Sequence, residues 1–190
     1  MIVQSLGPNK HKQVRHSNHN SHHTVQFYVS DTSFVAPLCA YVRDSLESGG
    51  VCIVFATEVH LKAISKTLQD SGVDPLAARM QGRYVALDAQ RTLDACMVEG
   101  LPDWGRFVHT FGPVLRTAAD KGNGVYIYSE MIALLWKHGN KEAVMCLEEF
   151  WNRLQEEHSF SVHCAYPELH FVNDSHVQQK IRACHGRRAD

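Results

Sequence analysis

Residues 124–154, GVYIYSEMIALLWKHGNKEAVMCLEEFWNRL, decide the fold. The β-branched and aromatic run 125–128 predicts a buried strand. Ser129 is placed to cap the helix that follows, and Asn140 to cap the next one. Glu130 therefore lies where a strand ends and a helix begins. Ligands of open α/β sheets bind outside the carboxyl ends of the strands, so this carboxylate is a candidate site residue.

The same alternation of strand and helix extends along most of the chain. Further strands are predicted at 24–29, 51–56, 83–87 and 160–165, with a possible edge strand near Phe171. The apolar run VCIVFA at 51–56 is typical of a central parallel strand. Because crossovers between parallel strands are right-handed, we predict one α/β domain of three layers, with a mainly parallel sheet flanked by helices.

Three local features refine this prediction. Asp31 is expected to cap the first helix. Pro113 is expected to kink or divide the helical region 104–121, because proline removes a backbone hydrogen bond. The six cysteines are scattered without any C-x-x-C pair, which favours reduced core thiols over a disulfide framework.

Composition excludes several classes of protein. The chain has 190 residues, of which 44% are hydrophobic and 21% charged, as expected for a soluble globular domain. Its net charge of -1 gives no electrostatic argument for binding nucleic acid or an anionic membrane. No apolar run is long enough to span a bilayer, and the N-terminus lacks the apolar core of a signal peptide. We expect a cytoplasmic protein.

The two ends differ from the centre. Residues 1–22 predict a disordered arm rich in histidine, and residues 173–190 a loose C-terminal tail, which leaves 23–172 as the folded domain. Such a histidine tract can bind Zn²⁺ or Ni²⁺ adventitiously, but nothing in the arm completes a specific metal site. We predict no cofactor.

Polar and aromatic side chains follow the predicted strands and should rim one crevice. All but the histidine have a structural alternative: the aspartate and the glutamates suit helix starts as caps or dipole partners, and the tyrosines suit the core. The candidates are Tyr28, Glu58, His60, Asp88, Glu130 and Tyr166.

Two catalytic arrangements are absent from the sequence. The loop after the first strand reads VSDTS at 29–33, without the glycines and lysine of a phosphate-binding loop. No G-x-S-x-G motif is present. His163 and Cys164 are neighbours on a strand and point to opposite faces, so they cannot form a nucleophile–base pair. The sequence therefore predicts a protein that is not an enzyme.

Eight short segments, in this order and spacing, resemble the MEDS domain, a DcmR-like sensory family of methanogen and methylotroph regulators. They are HTVQFY (23–28), GG (49–50), ATEVH (56–60), GRYVALDA (82–89), YSEM (128–131), LLW with GN (134–136, 139–140), LE with W (147–148, 151) and CAYP (164–167). The resemblance covers residues 23–172.

This resemblance implies a RecA/KaiC-like fold that has lost its phosphate-binding loop. It also implies a sensory module for small organic compounds, such as simple hydrocarbon derivatives, in prokaryotic signalling or transcription control. It adds His23, Gln26 and Arg83 to the candidate ligand-binding residues. We expect no attached output module, so the resemblance implies a signalling partner, either a kinase or a transcription regulator, or a homo-oligomer.

Three other functions remain open from the sequence. The domain could retain nucleotide binding as a KaiC-like module, which rests on fold analogy alone. It could serve as a protein-interaction scaffold with an empty crevice. It could also use His60, Glu130 and His23 in a metal-dependent function.

Overall fold

The computed structural model describes residues 22–168 together with 179, 181 and 185. The predicted arm at 1–22, apart from its last residue, lies outside the described residues. So do most of the predicted tail at 173–190 and the possible strand at Phe171.

Strands and helices alternate as the sequence predicts. The strands are β1 (His23–Tyr28), β2 (Val51–Ala56), β3 (Tyr84–Asp88), β4 (Met97–Val98), β5 (Leu101–Pro102), β6 (Val125–Ser129) and β7 (Ser161–Pro167). The helices are α1 (Asp31–Glu47), α2 (Glu58–Asp70), α3 (Pro75–Met80), α4 (Ala89–Cys96), α5 (Trp104–Ala119), α6 (Met131–Lys137) and α7 (Lys141–Glu157).

The main sheet has five strands in the order β1-β7-β6-β2-β3, and every neighbouring pair is parallel. The prediction of a parallel α/β sheet is therefore confirmed. Because the strands are parallel, their carboxyl ends share one edge, and the loops that leave β1, β2, β6 and β7 meet there.

Helices cover both faces of the sheet. Along β2, Ile53 and Phe55 pack against α4–α7, while Cys52 and Val54 pack against α1–α3. All six residues of β2 are buried, as its continuous apolar run predicts. Burial on both faces explains why β2 shows no apolar–polar alternation.

The structure corrects three local predictions. The helix α5 continues through Pro113 without dividing, because apolar residues on both sides of the proline pack into the same core; the alternative expectation of a kink there stays a prediction. The N-cap of α1 is Ser30 rather than Asp31, and its hydroxyl accepts a hydrogen bond from the Ser33 amide. The strand β6 runs one residue further than predicted, through Ser129, so Glu130 takes the N-cap position of α6 without a side-chain cap.

The antiparallel pair β4–β5 was not predicted from the sequence. Each strand has only two residues, and such short segments give no periodic signal. The turn between them holds Glu99 and Gly100 with positive φ angles of 49° and 85°.

Gly50 lies where α1 meets the centre of the sheet. A Cβ atom at this position would lie 2.5 Å from the ring of Tyr126 and 3.0 Å from the carbonyl oxygen of Gly124. The first distance is shorter than real Cβ contacts and the second is at the tight end of them, so the backbone of Gly50 approaches β6 too closely to leave room for a side chain.

We predict that Gly50→Ala destabilises the protein by about 1–3 kcal/mol, the usual effect of overpacking a core. Urea unfolding followed by circular dichroism measures the difference. Gly112→Ala is the matched control: its Cβ would meet mainly the flexible end of Arg116, at 3.2 Å, and alanine favours a helix over glycine. Equal stability of the Gly50→Ala variant and the natural chain would contradict the close approach.

Candidate ligand-binding site

Glu130 is buried at the edge of the sheet where the carboxyl ends of the strands meet, with 2% of its surface exposed. Its backbone amide donates to the Phe55 carbonyl oxygen at 2.9 Å, which ties the end of β6 to β2. Its Oε2 accepts the Thr57 backbone amide at 2.8 Å, and its Oε1 lies 2.5 Å from Nδ1 of His60. A carboxylate only accepts, so His60 Nδ1–H is the donor. Both oxygens are thus held by α2 and the turn before it.

The imidazole of His60 is positioned by aromatic packing. Phe34 has no exposed surface, and its ring centroid lies 4.4 Å from that of His60 and 4.8 Å from that of Tyr28. Since Phe34 belongs to α1, the first helix fixes the orientation of a side chain on α2. The side chains of three separate elements, β1, α1 and α2, therefore pack as one unit.

A cavity of about 300 Å³ opens beside this unit. Its walls combine polar groups next to the Glu130–His60 pair with apolar side chains from α6 and the end of β7, and the exposed Lys137 marks its outer rim. The lining residues are Tyr28, Val29, Ser30, Thr57, His60, Glu130, Ala133, Leu134, Lys137 and Pro167.

The loop after β1 uses its own backbone donors internally. The amides of Val29 and Ser30 donate to the Ser33 hydroxyl at 3.2 and 3.0 Å, and the Ser33 amide donates to the Ser30 hydroxyl at 3.2 Å. In a phosphate-binding loop such amides point at the phosphate. Here they close a capping box instead, in agreement with the missing glycines and lysine.

Of the nine predicted site residues, the structure brings Tyr28, His60 and Glu130 to the cavity. Glu58 lies outside it: the side chain is fully exposed and pairs with Lys62 at 2.7 Å. The hydrogen bond from Lys62 lowers the pKa of Glu58. Asp88 also lies outside, because its carboxylate caps α4 through the Arg91 amide at 2.8 Å.

Arg83 and Gln26 are placed elsewhere too. Arg83 precedes β3 at the amino-end edge, where its guanidinium donates to the carbonyl oxygens of Gly50 and Leu46. It therefore lies at the opposite end of the strands from the cavity. Gln26 is half-buried beside His163, whose Nε2 lies 3.2 Å from the Gln26 Oε1. Burial lowers the pKa of His163 to about 4, so this imidazole is neutral near pH 7.

His23 and Tyr166 meet on the other face of the sheet. Both contact Glu148 of α7: His23 Nε2 lies 2.9 Å from Glu148 Oε2, and the Tyr166 hydroxyl donates to Glu148 Oε1. Tyr166 has no exposed surface, so it cannot rim the crevice as the sequence suggested. These two residues belong to a separate buried cluster.

Some residues of the cavity were missed from the sequence. Lys137 is seven residues after Glu130, two helical turns away and therefore on the same side of α6. The spacing in the sequence could therefore have identified Lys137 as a residue of the cavity. Leu134, four residues after Glu130 on α6, carries the same signal. Pro167 had none, because its approach to Glu130 depends on the neighbouring strands.

Residues 22–186 match the family described as "MEDS: MEthanogen/methylotroph, DcmR Sensory domain". The chain belongs to the MEDS family. The match covers most of the chain and confirms the resemblance carried by the eight short segments. The MEDS domain is a sensory domain, so a sensory or regulatory role follows from membership of the family.

Solved structures similar to this MEDS domain share its fold at low sequence identity. The uncharacterized protein PH0321 from Pyrococcus horikoshii, solved in complex with an unknown peptide, has a TM-score of 0.65 and 13% identity over 88% of this chain and 75% of its own. The KaiC-like protein PH0186 from Pyrococcus horikoshii OT3 has a TM-score of 0.54 and 12% identity, over 85% and 70%. At such identity the likeness shows the KaiC-like fold alone.

No curated protein matches the sequence significantly. Among the described residues, no helix combines the length and apolar character needed to cross a membrane.

We predict that Glu130→Ala lowers the free energy of unfolding by about 1–3 kcal/mol, because it leaves the Thr57 amide and His60 without their acceptor. Urea unfolding measures this change. Glu149→Ala, on the exposed side of α7, is the control and should stay within about 0.5 kcal/mol of the natural chain. Complete loss of cooperative folding in Glu130→Ala would mean that Glu130 is a structural requirement rather than a site residue.

Proposed function

We propose that this MEDS domain is a non-catalytic sensor that binds a small organic molecule, a simple hydrocarbon derivative, in the cavity at the strand carboxyl ends. The observation that carries the proposal is the buried Glu130–His60 pair at the wall of a cavity of about 300 Å³. Ligand sites are concave and mostly apolar, with a few polar groups that fix orientation. This cavity combines those features at the edge where α/β sheets bind ligands.

The size and lining of the cavity favour a short ligand with one polar group. Its volume lies at the lower limit for small-molecule pockets. The apolar side chains of Ala133, Leu134 and Pro167 suit a short carbon skeleton. The polar group would face His60 and Tyr28, and Lys137 at the rim favours a ligand that is neutral or anionic over a cationic one.

The hydrogen bonds of Glu130 support binding rather than catalysis. Both of its oxygens already accept donors from the protein, one from a backbone amide and one from an imidazole. A general base must reach the proton that it removes from a substrate, and this carboxylate is instead occupied in orienting His60. His60 is therefore the group of the pair that we assign to ligand contact.

The helix α6 links the cavity to the surface. Three of its residues line the cavity, and only residues 138–140 separate α6 from α7. A ligand that binds more tightly when α6 is in one arrangement than in another increases the population of that arrangement. We propose that this shift alters the α6–α7 surface offered to a signalling partner, a kinase or transcription regulator, or to a second copy of the chain.

A thermal-shift panel tests the proposal. Small alcohols, haloalkanes, short organic acids and amines are compared with ATP plus Mg²⁺. A ligand at about one hundred times its Kd adds about 2.7 kcal/mol, which raises the Tm by about 5–10 °C in a chain of this size. We expect a shift with a neutral or anionic organic compound and none with ATP.

Variants of the cavity residues test whether the compound that raises the Tm binds in the cavity. His60→Gln and Lys137→Met should weaken binding of the active compound at least about tenfold, the effect of losing a hydrogen bond to a charged group. Lys66→Met, an exposed lysine of α2 outside the cavity, should leave it unchanged. A shift with ATP would favour the residual nucleotide module, and no shift with any compound would favour the scaffold.

A further inference from the structure

A second buried carboxylate lies on the face of the sheet that α4–α7 cover. Glu148 of α7 has no exposed surface, although α7 presents mainly apolar side chains to the sheet. A carboxylate removed from water is costly unless other groups compensate it. The groups that surround Glu148 are therefore informative about what the cluster binds.

Four side chains of this cluster converge on one point. His23 Nε2 lies 2.9 Å from Glu148 Oε2 and 3.4 Å from Cys164 Sγ, and Cys164 Sγ lies 3.9 Å from Glu148 Oε2. His185 Nε2 lies 3.3 Å from Glu148 Oε1. One ligand atom from each of the four side chains lies within 4.8 Å of all the others. Tetrahedral zinc, with bonds of about 2.0–2.3 Å, holds neighbouring ligand atoms about 3.3–3.8 Å apart.

Both histidines are oriented with Nε2 toward this point. His23 Nδ1 lies 2.7 Å from Asn152 Oδ1, and His185 Nδ1 lies 2.6 Å from the Ile181 carbonyl oxygen. These oxygens only accept, so each Nδ1 carries a hydrogen, and in the neutral imidazole each Nε2 then presents a lone pair. Metal-binding histidines are held in the same way, by a second oxygen acceptor behind the ring.

When both imidazoles are neutral, these contacts place acceptor against acceptor, because both Nε2 lone pairs face the oxygens of Glu148. Among the described residues, His185 Nε2 is buried without a hydrogen-bond partner. The Tyr166 hydroxyl donates to Glu148 Oε1 and so orients the carboxylate. A cation at the centre turns this repulsion into coordination.

We propose that His23, Glu148, Cys164 and His185 bind one Zn²⁺ ion. Two nitrogens, one thiolate and one carboxylate form a donor set that suits zinc. All four positions are filled by the protein, as in structural rather than catalytic zinc sites. The ion would join β1, β7 and α7 to His185, which is 162 residues after His23 along the chain.

This site is separate from the cavity of Glu130 and His60. It lies within the core of the α4–α7 face, whereas the cavity opens at the strand ends. It also differs from the histidine-rich arm, since only His23 adjoins that arm. Zinc binding here can therefore fail while the proposed sensing function stands, and the reverse also holds.

Cobalt substitution tests the site. The full-length chain is used with His11, His16, His19 and His22 replaced by asparagine, to remove adventitious binding by the arm. We expect one Co²⁺ per chain, with a thiolate-to-cobalt charge-transfer band and the intense visible bands of tetrahedral coordination. Zn²⁺ should displace the cobalt and raise the Tm by about 5–10 °C at about one hundred times its Kd.

Two matched variants assign the ligands. Cys164→Ala should abolish the charge-transfer band and weaken Zn²⁺ binding by more than about 100-fold, since loss of an outer-shell partner alone costs 10- to 100-fold. Cys52→Ala, an equally buried thiol facing the other helical layer, should leave both unchanged. His185→Asn should weaken binding but keep the charge-transfer band at saturating cobalt.

Circular dichroism verifies that each variant is folded, and the cobalt spectrum of the chain with the four arm replacements needs no change at the proposed ligands. Absence of stoichiometric cobalt binding in that chain would overturn the proposal. So would a charge-transfer band that survives Cys164→Ala. Either result would make the cluster a hydrogen-bonded part of the core, with protons in place of the ion.

Discussion

The hydrogen bond from the Thr57 amide to Glu130 connects the two strands on which the site depends. Glu130 follows β6, and Thr57 follows β2, its neighbour in the sheet. The same carboxylate holds His60 on α2, so the strand ends, the start of α2 and the start of α6 are joined at one buried group. The cavity is the space left beside this junction. Its shape therefore depends on the carboxylate as much as on the residues that line it.

Among the described residues, two glutamates are buried, and their surroundings contrast. Glu130 accepts a backbone amide and an imidazole, and it adjoins a cavity open to solvent. Glu148 is enclosed by a tyrosine, two histidines and a cysteine within the core. Burial raises the pKa of the Cys164 thiol well above its usual range, and Glu148 adds to that effect. The open site suits an exchanging ligand, and the enclosed one suits a permanent part of the fold.

Much of the fold could be predicted from short-range patterns. The strand β2 is a continuous apolar run, and the caps Asp88 and Asn140 lie where the sequence placed them. These features depend on side chains and backbone groups within a few residues of one another, so they are visible in the sequence. Pro113 behaved differently, because apolar packing on both sides of it outweighed the lost hydrogen bond.

The sequence by itself determined the parallel α/β class, the absence of a phosphate-binding loop and the position of Glu130 at a strand end. Only the tertiary structure decided which strand-end residues meet. Glu58 and Glu130 both follow strands, yet one faces solvent and the other is buried, because helix phase and sheet order set the direction of each side chain. The cluster around Glu148 arises in the same way: its residues are far apart in the chain, and their convergence comes from packing α7 across β1 and β7.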